Sequence, residues 1–280
     1  MEIIDTQIHF GPGGIERVIG AMDGIGIHKA LIDEYWGRGM NLPPGYPLAG
    51  GGFRATAPTA ELACAQYPDR FSYLLRIHRL DPEVNSLIRM AKDTPHLRCL
   101  RMLVALPGER EIEVFADGGY EDVFAVIEEA GKPLNVFVMG QAHLLARYAR
   151  KFPKQLFIIN HCGLATGEPT KAFPYGAPDI AHLDKVLELA EHPNVYLQWS
   201  HAQRLFAEIH YPYEGILTHL RRAINAYGAQ RIMWASDIGG NVTHDTWAEL
   251  LLYLLHSTQL TPREKEWILG KTAKTVLDWN

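Results

Sequence analysis

Eight short apolar runs alternate with stretches of helical character along this chain, and that alternation limits its fold more than any other feature. The runs span residues 3–10, 29–36, 71–78, 97–105, 134–139, 156–161, 195–200 and 231–237. After them, residues 15–25, 59–67, 82–93, 121–131, 142–152, 180–191, 214–227 and 246–256 have the length and apolar spacing of amphipathic helices, and a last helix is expected over 261–277. Asp81 is placed to cap the helix that begins at Pro82, and Gly131 to stop the one before it. Strands alternating with helices build a parallel sheet, and eight such units predict a closed (β/α)8 TIM barrel. Hydrophobic residues make up 47% of the 280, ample for one large core, and no linker divides the chain, so residues 1–280 are read as one domain. A doubly wound open sheet is the competing architecture. It would be expected to place a GxGxxG turn after the first strand, where this chain has Gly11-Pro12-Gly13-Gly14.

Charge and cysteine usage exclude several function classes. The net charge of −5 and the lack of long basic runs argue against nucleic acid as a partner. No apolar stretch is long enough to span a bilayer, and no signal segment is evident, so no membrane partner is expected. Cys64, Cys99 and Cys162 form no CxxC pair, which fits a reducing, cytoplasmic setting and argues against a cysteine zinc site. A homodimer is the base-rate expectation for assembly.

Barrel enzymes carry their chemistry at the C-terminal strand ends. Here those ends supply Gln7 and His9 on the first strand, Arg76 and His78 on the third, and Arg101 on the fourth. The sixth ends in His161, the seventh leads into His201 and Arg204, and the eighth ends in Asp237. Alternation within the first strand sets Asp5, Gln7 and His9 against Ile4, Ile8 and Phe10, with Gln7 and His9 on one face. Each residue has a plain reading on its own. His9 fits a satisfied core histidine, Arg76, His78 and His201 fit solvated loop residues, and Asp237 fits a loop cap. Their recurrence at equivalent positions favours a polar barrel mouth. The Gly- and Pro-rich stretch 37–58 is long enough to be a lid, and Tyr35 and Trp36 before it are placed to cover a ring-shaped ligand.

Four segments carry a resemblance to the amidohydrolase superfamily, in its type 2 branch: Ile4-Asp5-Thr6-Gln7-Ile8-His9, Asn160-His161-Cys162-Gly163, Met233-Trp234-Ala235-Ser236-Asp237 and Ile268-Leu269-Gly270-Lys271-Thr272-Ala273. The chain departs from that pattern twice. Gln7 stands where the family's first strand has a ligand histidine, and the fifth strand, 134–139, lacks one at its end. The resemblance is greatest to the 2-pyrone-4,6-dicarboxylate lactonases, which it implies work without a metal. Arg98-Cys99-Leu100-Arg101 resembles their fourth strand, and Ser200-His201-Ala202-Gln203-Arg204-Leu205 another arginine-bearing segment. Phe137 replaces their tyrosine on the fifth strand, and Leu164 stands near the position of an arginine they carry after the sixth.

The resemblance implies a hydrolase of a small carboxylated lactone or ester. Asp237 would be the base that activates water, and His9 and His161 the donors to the oxyanion. Arg101 and Arg204 are suited to a substrate carboxylate, with Arg76, His78, His201, Tyr35, Trp36 and Gln7 as further contacts. No cofactor is expected. If an ion is bound, zinc or manganese on His9, His161 and Asp237 is the expected site. Alternation turns the Cys162 thiol away from the lumen, against covalent catalysis. Two other readings stay open: a metal-dependent decarboxylase of an aromatic or unsaturated acid, and a non-catalytic small-acid binding protein.

Overall fold

A computed structural model describes residues 1–36, 44–104, 111–138, 140–165, 180–208, 210–239 and 245–279. Eight parallel strands form one sheet: β1 (Ile4–Ile8), β2 (Lys29–Ile32), β5 (Phe71–Arg76), β6 (Leu97–Leu103), β7 (Leu134–Phe137), β8 (Phe157–Ile159), β9 (Val195–Trp199) and β10 (Ile232–Trp234), neighbours in that order. The two remaining strands, β3 (Gly45–Pro47) and β4 (Phe53–Ala55), form an antiparallel hairpin outside the sheet. The ring closes where His9 N–H donates to Ile238 O at 2.8 Å and Asp237 N–H to Gln7 O at 2.9 Å. This is the expected (β/α)8 barrel.

Side chains repeat every second residue along a strand, and the lumen is therefore layered. Ile4, Leu31, Leu74, Cys99, Ile158 and Met233 pack with Ala273, Val276, Leu277 and Trp279 of the C-terminal segment, which plugs the lower end. Two residues further along these strands stand Asp33, Arg76, Arg101 and Asn160. An apolar floor thus carries a polar layer. The larger core lies between the outer faces of the strands and the helices, and includes Ile8, Val136, Leu197 and Cys162.

β1 departs from simple alternation. Asp5 pairs with Ala30 and Ile8 with Ile32, so Thr6 and Gln7 together face Leu31 across a bulge. The bulge separates Asp5 from Gln7 and His9, which the pattern had set on one face. Asp5 instead accepts from Ser236 N–H at 3.0 Å and from the indole of Trp247, on helix Trp247–Leu255, at 2.8 Å.

Several elements end earlier than their apolar runs. β2 stops at Ile32 because Glu34 turns to cap helix Pro58–Gln66, accepting from Thr59 N–H at 3.1 Å and Ala60 N–H at 2.8 Å. The third helix begins at Val84, not Pro82; Asp81 Oδ1 accepts from Glu83 N–H at 2.9 Å ahead of it, and its carboxylate also takes Arg54 at 2.7 and 2.6 Å. Part of the expected lid, residues 44–58, contains the hairpin and the start of helix Pro58–Gln66, and 37–43 lie outside the described residues. Helices Glu111–Ala116 and Ala202–Leu205 were not evident from the periodicity. The last helix passes through a π turn at Trp267–Lys271, where Gly270 approaches Glu2 so closely that a Cβ would stand 2.1 Å from its carbonyl oxygen. Among the described residues, no helix is long and apolar enough to cross a membrane.

Burial pushes the Asp5 carboxyl up to about 6 from 3.8, against the hydrogen bonds that favour its charge. A group raised on folding binds more protons in the folded chain than in the unfolded one between those values, so its contribution grows as the pH falls. Urea unfolding is expected to show about 1 kcal/mol more stability from this group at pH 5 than at pH 7. Asp5→Asn should lack that increment, and an unchanged pH slope in the variant would count against it.

Candidate active site

The polar layer is organised around a carboxylate that sequence reasoning missed. Asp33, just past β2, receives Arg76 through Nε at 2.7 Å and a terminal nitrogen at 2.6 Å, and Arg101 bonds the same carboxylate. Arg76 and Arg101 stand side by side because β5 and β6 pair them in register. Arg101 also donates to Asn160 Oδ1 at 3.0 Å. Burial opposes charge on Asp33, but Arg76, Arg101 and His9 hold its carboxyl down at about 2. The only sequence signal for it was an acid at the end of an apolar run, Ala30-Leu31-Ile32-Asp33.

Asn160 joins this cluster to the opposite wall. Its amide donates to Gln7 Oε1 at 2.8 Å and to Gln198 Oε1 at 2.5 Å, and Gln198 in turn donates to Thr6 Oγ1 at 3.1 Å. Asn135 donates to the same Gln198 oxygen at 3.3 Å.

Asp237 forms the second centre. Its carboxylate lies 2.8 Å from His9 Nε2 and 2.5 Å from His201 Nε2. His9 Nδ1 donates to the Asp33 carbonyl at 2.6 Å, so this one ring links both centres. Burial alone would raise Asp237, yet His9 and His201 hold it well below its usual range. His161 packs edge-on against His201 at 4.4 Å, and its Nδ1 lies 2.7 Å from Ser200 Oγ. Burial holds His161 well below the usual imidazole range, against the pull of Asp237, so its ring is neutral at pH 7. His161, Cys162, His201 and Asp237 all have positive φ, at 47°, 53°, 55° and 59°, a region non-glycine residues seldom enter. Such strain gathers at functional sites.

The other sequence candidates are spread around these centres. Gln7 Nε2 lies 3.3 Å from His9 Nε2. Tyr35 is sandwiched, stacking on His9 at 4.2 Å and carrying the Arg76 guanidinium over its ring at 4.3 Å. Trp36 is 42% exposed and donates to Glu34 at 2.5 Å, so it sits at the rim. His78 turns away, its Nδ1 accepting from Leu80 N–H at 3.2 Å. Arg204 lies half-buried on helix Ala202–Leu205, just after His201. The Cys162 thiol is buried in the outer core beside Ser200 O at 3.5 Å, and burial pushes it up to about 12.

Among the described residues, one donor group suits a metal ion. Ligand atoms of His161, His201 and Asp237 lie within 4.8 Å of one another, two imidazoles and a carboxylate of the kind that holds zinc. In this group His201 stands where the resemblance assigned His9. An ion there would polarise a carbonyl or acidify a bound water.

The fold and its centres define a class first: a barrel of the enzyme type, with titratable groups converging at the C-terminal ends of its strands. The chain belongs to the amidohydrolase family, whose model matches residues 47–279. No curated protein matches. Among solved structures, an amidohydrolase from Burkholderia multivorans with bound HEPES is 17% identical, with 99% of each chain covered and a TM-score of 0.73. The same protein was also solved with zinc. A Pseudomonas putida protein assigned as a 2-pyrone-4,6-dicarboxylic acid hydrolase is 16% identical over 100% of this chain and 98% of its own, with a TM-score of 0.70. A 5-carboxyvanillate decarboxylase from Novosphingobium aromaticivorans, with manganese bound, is 15% identical over 99% and 97%, at 0.65. At these identities the likeness shows the fold alone.

Asn160 satisfies three buried polar partners at once. Asn160→Ala should lower the unfolding free energy by about 2–3 kcal/mol. Denaturant titration checks this, and a loss below about 0.5 kcal/mol would mean the amide network carries no stability.

Proposed function

We propose that this chain hydrolyses a small carboxylated lactone or ester, and does so without a metal. The observation that carries the reading is Asp237, held ionised between His9 and His201, with His9 joined in turn to the Asp33–Arg76–Arg101 cluster. A carboxylate that stays charged is ready to accept a proton from an attacking water. Its imidazole contacts keep it a weak base at rest, so the proton does not stay there. It passes to the alkoxide oxygen as the ester bond breaks, leaving a carboxylic acid and an alcohol. Ser200 Oγ–H donating to His161 Nδ1 leaves Nε2–H to stabilise the oxyanion, as preorganised donors do. The arginine pair supplies positive charge for the substrate's carboxylate.

Metal independence is supported by the chain's departures from the family pattern, Gln7 on β1 and Phe137-Val138 at the end of β7, and by the mutual hydrogen bond of Asp237 and His201. A second reading, metal-dependent decarboxylation, is favoured by the three donors of His161, His201 and Asp237. Chelation separates the two. Lactone or ester hydrolysis should survive removal of divalent ions, whereas loss of turnover together with about one ion per chain would favour the second.

Asp237→Asn keeps the shape but not the base, and should lower kcat on an active lactone by about 100-fold or more. Full activity in this variant would remove Asp237 from the proton transfer. Asp237 is held below its usual range and His161 neutral, so neither should impose an acid limb near 6.5 on kcat/KM. In a pH profile, an acid limb near 6.5 that disappears in His161→Gln would contradict this.

A further inference from the structure

We propose that Tyr35 is a positioning residue, the middle layer of an imidazole–phenol–guanidinium stack that holds the His9 ring against Asp237. Its effect on turnover rests on the reading above that Asp237 is the base; its effect on the His9 ring does not.

Tyr35 stands just past β2, where the chain runs on beside the end of β1. Its N–H donates to Phe10 O at 3.3 Å, and a Cβ at Gly11 would stand only 2.6 Å from its carbonyl oxygen, so glycine is what lets the two segments approach. That approach lays the phenol ring over His9, with centroids 4.2 Å apart and planes 14° from parallel. The opposite face carries the Arg76 guanidinium, 4.3 Å from the ring centroid, a cation–π contact. Both faces of Tyr35 are thus taken from within the protein, and a flat ligand finds neither free. Burial raises the phenol above its ordinary value, so the ring stays uncharged at neutral pH.

The stack closes into a circuit of four residues. Asp33 anchors both ends: its backbone carbonyl accepts from His9 Nδ1–H at 2.6 Å, and its carboxylate holds Arg76 at 2.7 and 2.6 Å. Nδ1 carries the proton of the first bond, since a carbonyl only accepts. That bond and the 2.8 Å contact of Nε2 with Asp237 both meet the imidazole at its edge. Edge contacts set where the nitrogens point but resist tilting of the ring weakly, because hydrogen bonds tolerate appreciable misalignment. A parallel ring on one face resists that tilt and keeps water off the Nδ1–H bond. Tyr35 supplies the parallel ring, and Arg76 behind it keeps Tyr35 from swinging away.

Nuclear magnetic resonance of the full chain, labelled at its histidine ring nitrogens, reads the His9 Nδ1–H directly, assigned by its loss in His9→Gln. The unaltered chain should show this proton protected from exchange with water. Tyr35→Phe keeps the stack and should leave the exchange rate within about twofold, whereas Tyr35→Leu removes the ring plane and should speed exchange about 3- to 10-fold. With 2-pyrone-4,6-dicarboxylate as the probe lactone, Tyr35→Leu should lower kcat about 3- to 10-fold with KM within about twofold, and Tyr35→Phe should match the unaltered chain. An unprotected Nδ1–H in the unaltered chain, or exchange no faster in Tyr35→Leu, would overturn the proposal. So would a rise in KM with kcat unchanged, which would make Tyr35 a substrate contact, or equal damage from Tyr35→Phe, which would assign the role to the hydroxyl. Should the probe not be turned over, or Asp237→Asn stay fully active, the hydrolytic reading falls, while the exchange rates still decide the role of Tyr35. A thermal melt shows whether Tyr35→Leu folds, and Tyr35→Met carries the same comparison if it does not.

Discussion

Closure of the barrel between its first and last strands is the constraint on which the rest of the molecule depends. Backbone bonds from His9 to Ile238 and from Asp237 to Gln7 draw these strand ends together. Asp5 reinforces the seam from outside through Ser236 N–H and Trp247, and Thr6 from within, through Trp234 O at 2.7 Å. Gly239 lets the chain pass the His9 carbonyl, where a Cβ would stand 2.0 Å away, and its φ of 84° suits glycine. His9 can reach Asp237 only because the seam is shut. Residues 228 positions apart in the chain are thereby placed in one hydrogen bond.

The lumen illustrates how a protein interior tolerates charge. Asp33, Arg76, Arg101 and Asp237 stand above an apolar floor, where an isolated ion would be expelled or neutralised. They persist because each is matched: Asp33 by two guanidiniums, Asp237 by imidazoles, and Arg101 also by the Asn160 amide. Such pairs seldom stabilise a fold beyond what apolar residues would, but losing one partner is expensive, so they enforce one arrangement. Left-handed backbone at His161, Cys162, His201 and Asp237 adds roughly 1–2 kcal/mol of opposing strain at each residue. Neighbouring backbone bonds hold these turns, including Gly163 N–H to Asn160 O at 2.9 Å and Leu205 N–H to His201 O at 2.9 Å. Stability is thus spent where groups must be aimed.

Much of this was legible in the chain. Strand-length runs ending in His9, Arg76, Arg101, His161 and Asp237 read as strand ends of a barrel, because burial of both sheet faces demands apolar runs and the mouth tolerates polar ends. The small helix Ala202–Leu205 and the hairpin were not legible, since a few residues carry too little periodicity to register. The bulge at Thr6 and Gln7 was hidden for another reason: an alternating pattern looks the same whether or not a residue is inserted, until a neighbouring strand shows the offset. Asp33 escaped notice because a single acid after an apolar run is common, and its two arginine partners are 43 and 68 positions away.

By itself the sequence determined the eight-unit alternation, the parallel barrel and the set of ionisable residues at its mouth, because periodicity and strand-end chemistry are local properties. Only the tertiary structure decided which of those residues meet. It joined Asp237 to His9 and His201 and bound Arg76 and Arg101 to Asp33, and it turned His78 back upon its own loop. Partner choice depends on strand register, the β1 bulge and ring closure, and these are set by contacts between segments far apart in the chain.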